Sequence, residues 1–201
     1  MAGSVAEYSI NVTQDVMVPM RDGVRLAADI YRPTLNGEMA PGNFPTIFGR
    51  TSCGKSNTVM RIEAVANLST PRVYAVVLQD LRGRGRSEGT GQYFRTVNPR
   101  EGQDGYDTVE WTAAQGRSSG KVGTVGSYHG GKVQTAMAPE RPLHLTAMWA
   151  DVNTVNLFDG RGLWGCDGAP PAHGRGSPAS SGASARETER YSRSPSACLG
   201  Q

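Results

Sequence analysis

The chain predicts an α/β fold in which an antiparallel hairpin leads into a mainly parallel sheet. Three observations carry this expectation. Two alternating runs, Val12 to Pro19 and Val24 to Tyr31, are joined by Arg21-Asp22-Gly23, and Asp-Gly between such runs is a strong hairpin signal. Tyr74 to Leu78 is nearly all apolar, as suits a strand buried on both faces. From there to Ala150, helix-like and strand-like segments alternate, which places helices on both faces of one sheet.

Taken in order, the hairpin is followed by Pro33 to Pro45, polar and rich in Pro and Gly, which predicts a loop. Phe44 to Phe48 predicts a third short strand. Thr58 to Leu68 carries Val59, Ile62, Val65 or Ala66, and Leu68 near helical spacing and predicts a helix before the Tyr74 strand. A glycine-rich connection spans Gly83 to Gly91. Gln103 to Gln115 then reads as a helix with Tyr106, Val109, Glu110 and Ala113 on adjoining faces. Lys121 to Val125, Lys132 to Ala138 and Leu145 to Ala150 complete strand, helix and strand, so the sheet is expected to stop after about six strands.

Composition sets bounds on function. Apolar residues make up 37% of 201 residues, and the shortfall is concentrated at the end. From Gly165 to Gln201 there is no Val, Ile, Met, Phe or Trp, so this stretch cannot bury enough surface to offset ordering entropy, and residues 165–201 are expected to form a disordered tail. Its Ala/Arg/Gly/Pro/Ser vocabulary is also what a frameshift in a GC-rich gene would produce. A net charge of +3 says nothing strong about partners, but the Arg82, Arg84, Arg86 cluster has no interleaved aromatics as a nucleic-acid platform would want, so no nucleic-acid partner is expected. Cys53, Cys166 and Cys198 give neither a disulfide framework nor zinc spacing. The absence of a signal-like N-terminus and of long apolar runs makes a cytoplasmic protein without membrane contact the expectation.

Two motifs carry candidate chemistry. Gly49-Arg-Thr-Ser-Cys-Gly-Lys-Ser56 formally matches a phosphate-binding loop, in which backbone N–H groups cradle phosphates, Lys55 reaches them and Ser56 holds magnesium. This makes nucleotide binding the alternative function. Against it, the match follows a hairpin, and the nearest second motif, Val76-Val-Leu-Gln-Asp80, has a polar residue before its Asp.

The second motif is Gly126-Ser127-Tyr128-His129-Gly130, between the Lys121 strand and the Lys132 helix. A serine in a glycine-flanked strand-to-helix turn is how α/β-hydrolases push a nucleophile out of the sheet's end. His129, two residues on, cannot act as the base of Ser127. His144 precedes its strand and belongs at the other end of the sheet. Ser127, Asp151 and His173 have the chain order of a triad, with His173 in the tail.

Four separated segments resemble the CocE/NonD-type hydrolases, the cocaine-esterase and X-Pro dipeptidyl-peptidase (peptidase S15) group. They are Met20-Arg-Asp-Gly-Val-Arg-Leu-Ala-Ala-Asp-Ile-Tyr-Arg-Pro33, Asp80-Leu-Arg-Gly-Arg-Gly-Arg-Ser-Glu-Gly89, Asp107-Thr-Val-Glu-Trp-Thr-Ala-Ala-Gln115 and Gly120-Lys-Val-Gly-Thr124 leading to the serine turn. The resemblance implies an α/β-hydrolase fold over residues 1–164 and cleavage of a small ester or peptide through an acyl-enzyme, with no cofactor or metal. It implies Ser127 as nucleophile and the Tyr128 backbone N–H as one oxyanion donor. The loop Arg50-Thr-Ser-Cys-Gly-Lys55 is similar to one whose tyrosine supplies the second donor, and Cys53 stands at that position. A thiol donates weakly, and losing one oxyanion donor costs about 10²–10³ in rate.

The family pattern G-x-S-Y-x-G has one residue more than Gly126-Ser127 before its serine, and a β-branched Val125 in place of its glycine would displace Oγ or shift the strand's register. The family's acid and histidine lie farther along than this sequence extends. The expectation is therefore an impaired hydrolase or a non-catalytic remnant of one.

Overall fold

The structure, a computed structural model, describes residues 4–56, 62–91 and 99–152. Within them one sheet forms from β1 (Ser9–Pro19), β2 (Arg25–Leu35), β3 (Glu38–Met39), β4 (Phe44–Thr51), β5 (Ala75–Asp80), β6 (Ser118–Ser127) and β7 (Leu145–Asp151). Its order is β1-β2-β5-β4-β6-β7, with β3 paired to β2. β1, β2 and β3 run antiparallel to their partners, β5 is antiparallel to β2, and β4, β5, β6 and β7 are parallel. The helices are α1 (Glu63–Ser69), α2 (Pro99–Ala113) and α3 (His129–Met137).

The opening hairpin closes as its Asp-Gly predicts. Gly23 takes φ +84°, and Val24 N–H reaches back to Asp22. The predicted loop 33–45 is corrected. β2 continues to Leu35, and Thr34 and Leu35 pair with Met39 and Glu38 across a two-residue turn. Asn36 (φ +53°) and Gly37 (φ +82°) make that turn, and Asn-Gly is the residue pair such a hairpin requires. The Gln103 helix starts four residues earlier, at Pro99, because proline's fixed φ and missing N–H suit a first helical turn. Of the predicted Thr58 helix, Glu63 to Leu68 lies in α1, and residues 57–61 lie outside the described residues. The predicted tail also lies outside them.

Strand alternation divides the core between two faces. Val18, Leu26, Ala28, Ile30, Phe48, Val77, Val109, Val122 and Met137 pack beneath α2 and α3, while Tyr31, Val76, Leu78 and Ala66 pack beneath α1. α2 and α3 approach closely because α2 carries Gly102 and Gly105. A Cβ at Gly102 would stand 2.5 Å from the Ala136 carbonyl oxygen, and one at Gly105 2.9 Å from the Met137 side chain. Among the described residues, no helix is long and apolar enough to cross a membrane.

Candidate active site

The parallel strands end together at one edge of the sheet. Pairing Thr51 with Asp80 and Ser127 with Asp151 brings the carboxyl ends of β4, β5, β6 and β7 to the same level. In open α/β sheets this edge is where ligands bind.

Most of the polar residues there build the loops. Asp80, buried at the end of β5, accepts N–H bonds from Lys55 (2.6 Å) and Arg86 (3.1 Å), tying the 51–56 loop to the 83–91 loop. Burial pushes its carboxyl above the usual range against those bonds. A Cβ on Gly85 would fall inside the Asp80 carboxylate, which explains that glycine. The Ser87 hydroxyl donates to the Asp80 carbonyl (2.7 Å) and accepts from Ala27 N–H (2.8 Å). Arg82 forks onto Asp104 at 2.6 and 3.0 Å and also holds Asp22. The Asp80–Gly89 segment is therefore structural.

The phosphate-loop reading fails on geometry. Lys55 is buried with its ammonium 2.6 Å from Asp15 and 3.0 Å from Asp29, and Asp80 lies behind it. A bulge in β1, with Asp15 at φ +54°, aims that carboxylate inward. Burial pulls the Lys55 pKa down, but the hydrogen bonds to Asp15 and Asp29 outweigh it and hold it above the ordinary value. A lysine neutralised by carboxylates cannot also neutralise a phosphate, so nucleotide binding through residues 49–56 is corrected.

Ser127 is the last residue of β6. Its hydroxyl faces Asp151 Oδ2 at 3.4 Å, the long limit of a hydrogen bond. Ser127 and Asp151 are thus brought together. His173 lies outside the described residues. His144 stands at the amino end of β7, 2.7 Å from Glu110, away from Ser127 as expected. His129 opens α3 and is buried. Burial, with the charges of Lys132, Arg50 and Arg84, pushes its pKa down to about 4, so it is neutral at pH 7.

Two sequence expectations are corrected at the turn. The Tyr128 N–H does not point out as an oxyanion donor; it continues the sheet ladder by donating to the Asp151 carbonyl at 3.1 Å. The residue in the strained conformation between strand and helix is Tyr128 (φ +52°, ψ −119°), not Ser127. Cys53 sits half-buried in the 51–56 loop at the same edge, its N–H on Thr51 Oγ1 at 3.1 Å and its sulfur 3.8 Å from the Ser52 hydroxyl.

Sequence reasoning missed Gln134. Buried in α3, it donates to the carbonyls of Trp149 (3.1 Å), Gly130 (3.2 Å) and Gly126 (3.4 Å) and accepts from Thr124 (2.7 Å). One amide therefore staples β6, the turn and β7. Its only sequence signal was a polar residue on an otherwise small and apolar helix face. Below the turn, Arg50 donates to the Glu101 carbonyl at 2.7 Å, while its Nε and Nη2 and Glu101 Oε2 have no hydrogen-bond partner among the described residues. Burial pushes the Glu101 carboxyl up to about 7 despite the charge of Arg50. A concavity of about 30 Å³ beside Phe44 and Trp111 is at the opposite end of the sheet and too small for a substrate.

Against known proteins, the X-Pro dipeptidyl-peptidase (S15 family) pattern matches residues 22–196. The cocaine esterase of Rhodococcus sp. (strain MB1 Bresler) is 37% identical over 156 residues, which are 77% of this chain and 26% of that protein. A CocE/NonD family hydrolase from Staphylococcus aureus superposes with TM-score 0.61 at 28% identity, covering 73% of this chain and 29% of that one. An alpha-amino acid ester hydrolase gives TM-score 0.55 at 28% identity, covering 74% and 26%. The chain thus spans about a quarter of the length of these relatives.

Proposed function

Because the chain belongs to the X-Pro dipeptidyl-peptidase (S15) family, we propose that it carries the acyl-accepting turn of a hydrolase that cleaves small esters or amides, with Ser127 as the acceptor. The observation that most supports this is the pairing of Ser127 with Asp151, hydroxyl against carboxylate at the carboxyl edge of the sheet. In the step envisaged, Ser127 Oγ bonds to the carbonyl carbon and the alcohol or amine leaves with the hydroxyl proton. Water then releases the acid and restores Ser127. The relatives' names favour an ester as the first substrate to try.

Turnover is slow in this reading. A carboxylate alone is a weaker base for a serine than a histidine that a carboxylate orients. Among the described residues, neither His129, which is buried, nor His144, bonded to Glu110, is presented to Ser127. The Tyr128 N–H is committed to the Asp151 carbonyl, which removes one expected oxyanion donor. Ser127 accepts from the flank of the turn rather than its apex. A fluorophosphonate probe tests the assignment on the full chain: peptide mapping should find the adduct on Ser127, and Ser127→Ala should abolish it. Folded chain that takes no label at Ser127 would sink the reading.

A further inference from the structure

We infer that the turn between β6 and α3 delivers residue 128, not residue 127, to the position where a nucleophile is presented, so that Tyr128 occupies the acyl-accepting seat of this chain. The inference rests on reading this turn as the acyl-accepting one and changes which residue it turns outward.

Four observations fix the register. Ser127 is still a strand residue, paired with Asp151, whereas Tyr128 alone takes the positive-φ conformation before α3 begins at His129. A nucleophile turn is a single strained residue between strand and helix, and here that residue is Tyr128.

The glycines agree. Gly126 and Gly130 each stand two residues from Tyr128. A Cβ on Gly126 would lie 2.8 Å from the Gly130 carbonyl group, and one on Gly130 3.2 Å from the Arg50 carbonyl oxygen. Moving Ser127 to the apex would slide Val125 into the first place and His129 into the second, where neither side chain fits.

The hydrogen bonds lock the same arrangement. Tyr128 N–H is held by Asp151, and Gln134 holds the carbonyls of Gly126, Gly130 and Trp149. Finally, Tyr128 is 58% exposed, turned out at the edge where the parallel strands end. The phenol carries its oxygen a ring's length beyond where a serine hydroxyl at that position would lie. An acyl carbon placed for the seat therefore meets the ring rather than an oxygen.

The two positions differ electrostatically, and that makes them separable. Residue 128 caps the nine-residue helix α3, whose N-terminus favours a thiolate, while residue 127 faces the Asp151 carboxylate, which disfavours one. Tyr128→Cys and Ser127→Cys chains are treated with iodoacetamide, the thiolate displacing iodide, and each cysteine peptide is quantified by mass spectrometry. The Tyr128→Cys thiol should react at least about tenfold faster. Equal or faster reaction in the Ser127→Cys chain would overturn the inference.

Hydrogen exchange on the unmodified chain gives a second reading that needs no variant. The Tyr128 amide should be protected by its bond to Asp151, and exchange at the rate of an open peptide would equally overturn the register. A protected Tyr128 amide together with no fluorophosphonate adduct on Ser127 would uphold this inference while removing the proposed acceptor.

Discussion

Glu101→Gln should stabilise the protein, and increasingly so as pH rises. The Glu101 carboxyl is buried with Oε2 unpartnered, and burial lifts its pKa from the ordinary glutamate value of 4.5 to about 7. The folded state therefore binds this proton more tightly than the unfolded chain does. The resulting stability is fully present below pH 4.5 and is lost as pH rises through about 7. The displacement is equivalent to about 3 kcal/mol at pH 8. Glutamine has the shape of the protonated acid and no charge to lose. The variant should match the parent at pH 4 and exceed it by about 2–3 kcal/mol at pH 8. Urea unfolding of both chains at several pH values is the assay. With a slope of about 2 kcal/mol per molar urea, the midpoints should separate by about 1–1.5 M at pH 8 and coincide in acid. A difference that does not change with pH, or a parent more stable at pH 8, would mean that burial of Glu101 does not outweigh the charge of Arg50.

The ion-pair cage and the amide staple yield further predictions. Lys55→Met leaves Asp29 buried and unpaired, so it should cost about 3–5 kcal/mol in urea unfolding; a loss under about 1 kcal/mol would mean the cage does not hold the 51–56 loop. Gln134→Leu removes the bonds to three carbonyls and the acceptor of the buried Thr124 hydroxyl, at a cost of about 1–3 kcal/mol. Its effect should be local: hydrogen exchange at Tyr128 should accelerate more than at β2 amides, and uniform acceleration would contradict a staple.

How much of this was legible in the sequence follows from the kind of signal. Tyr74 to Leu78 and the Asp22-Gly23 hairpin announced themselves through local chemistry that tertiary structure did not override. The Asn36-Gly37 turn was equally readable, and was lost only because the surrounding Pro and Gly favoured a loop. The register of the serine turn was half visible. Val125 signalled that a serine-centred turn would not fit, and Gly126 and Gly130 already bracketed Tyr128. What periodicity could not supply was the ladder bond from Tyr128 to Asp151, because it joins residues far apart in the chain. The cage around Lys55 was hidden for the same reason. Its carboxylates come from β1 and β2, and a formal phosphate-loop pattern carries no information about what will pack behind its lysine.

The staple through Gln134 also imposes an order on assembly. A strained residue costs about 1–3 kcal/mol and persists only where its surroundings hold it. At Tyr128 the bond to the Asp151 carbonyl and one arm of the Gln134 amide both reach β7. During synthesis the turn and α3 emerge before that strand does, so the backbone at Tyr128 has nothing to hold it until residues 145–151 have arrived and paired. The feature that defines the site therefore sets only after β7 has joined β6, and a nascent chain halted before Leu145 would carry every residue of the turn without its shape.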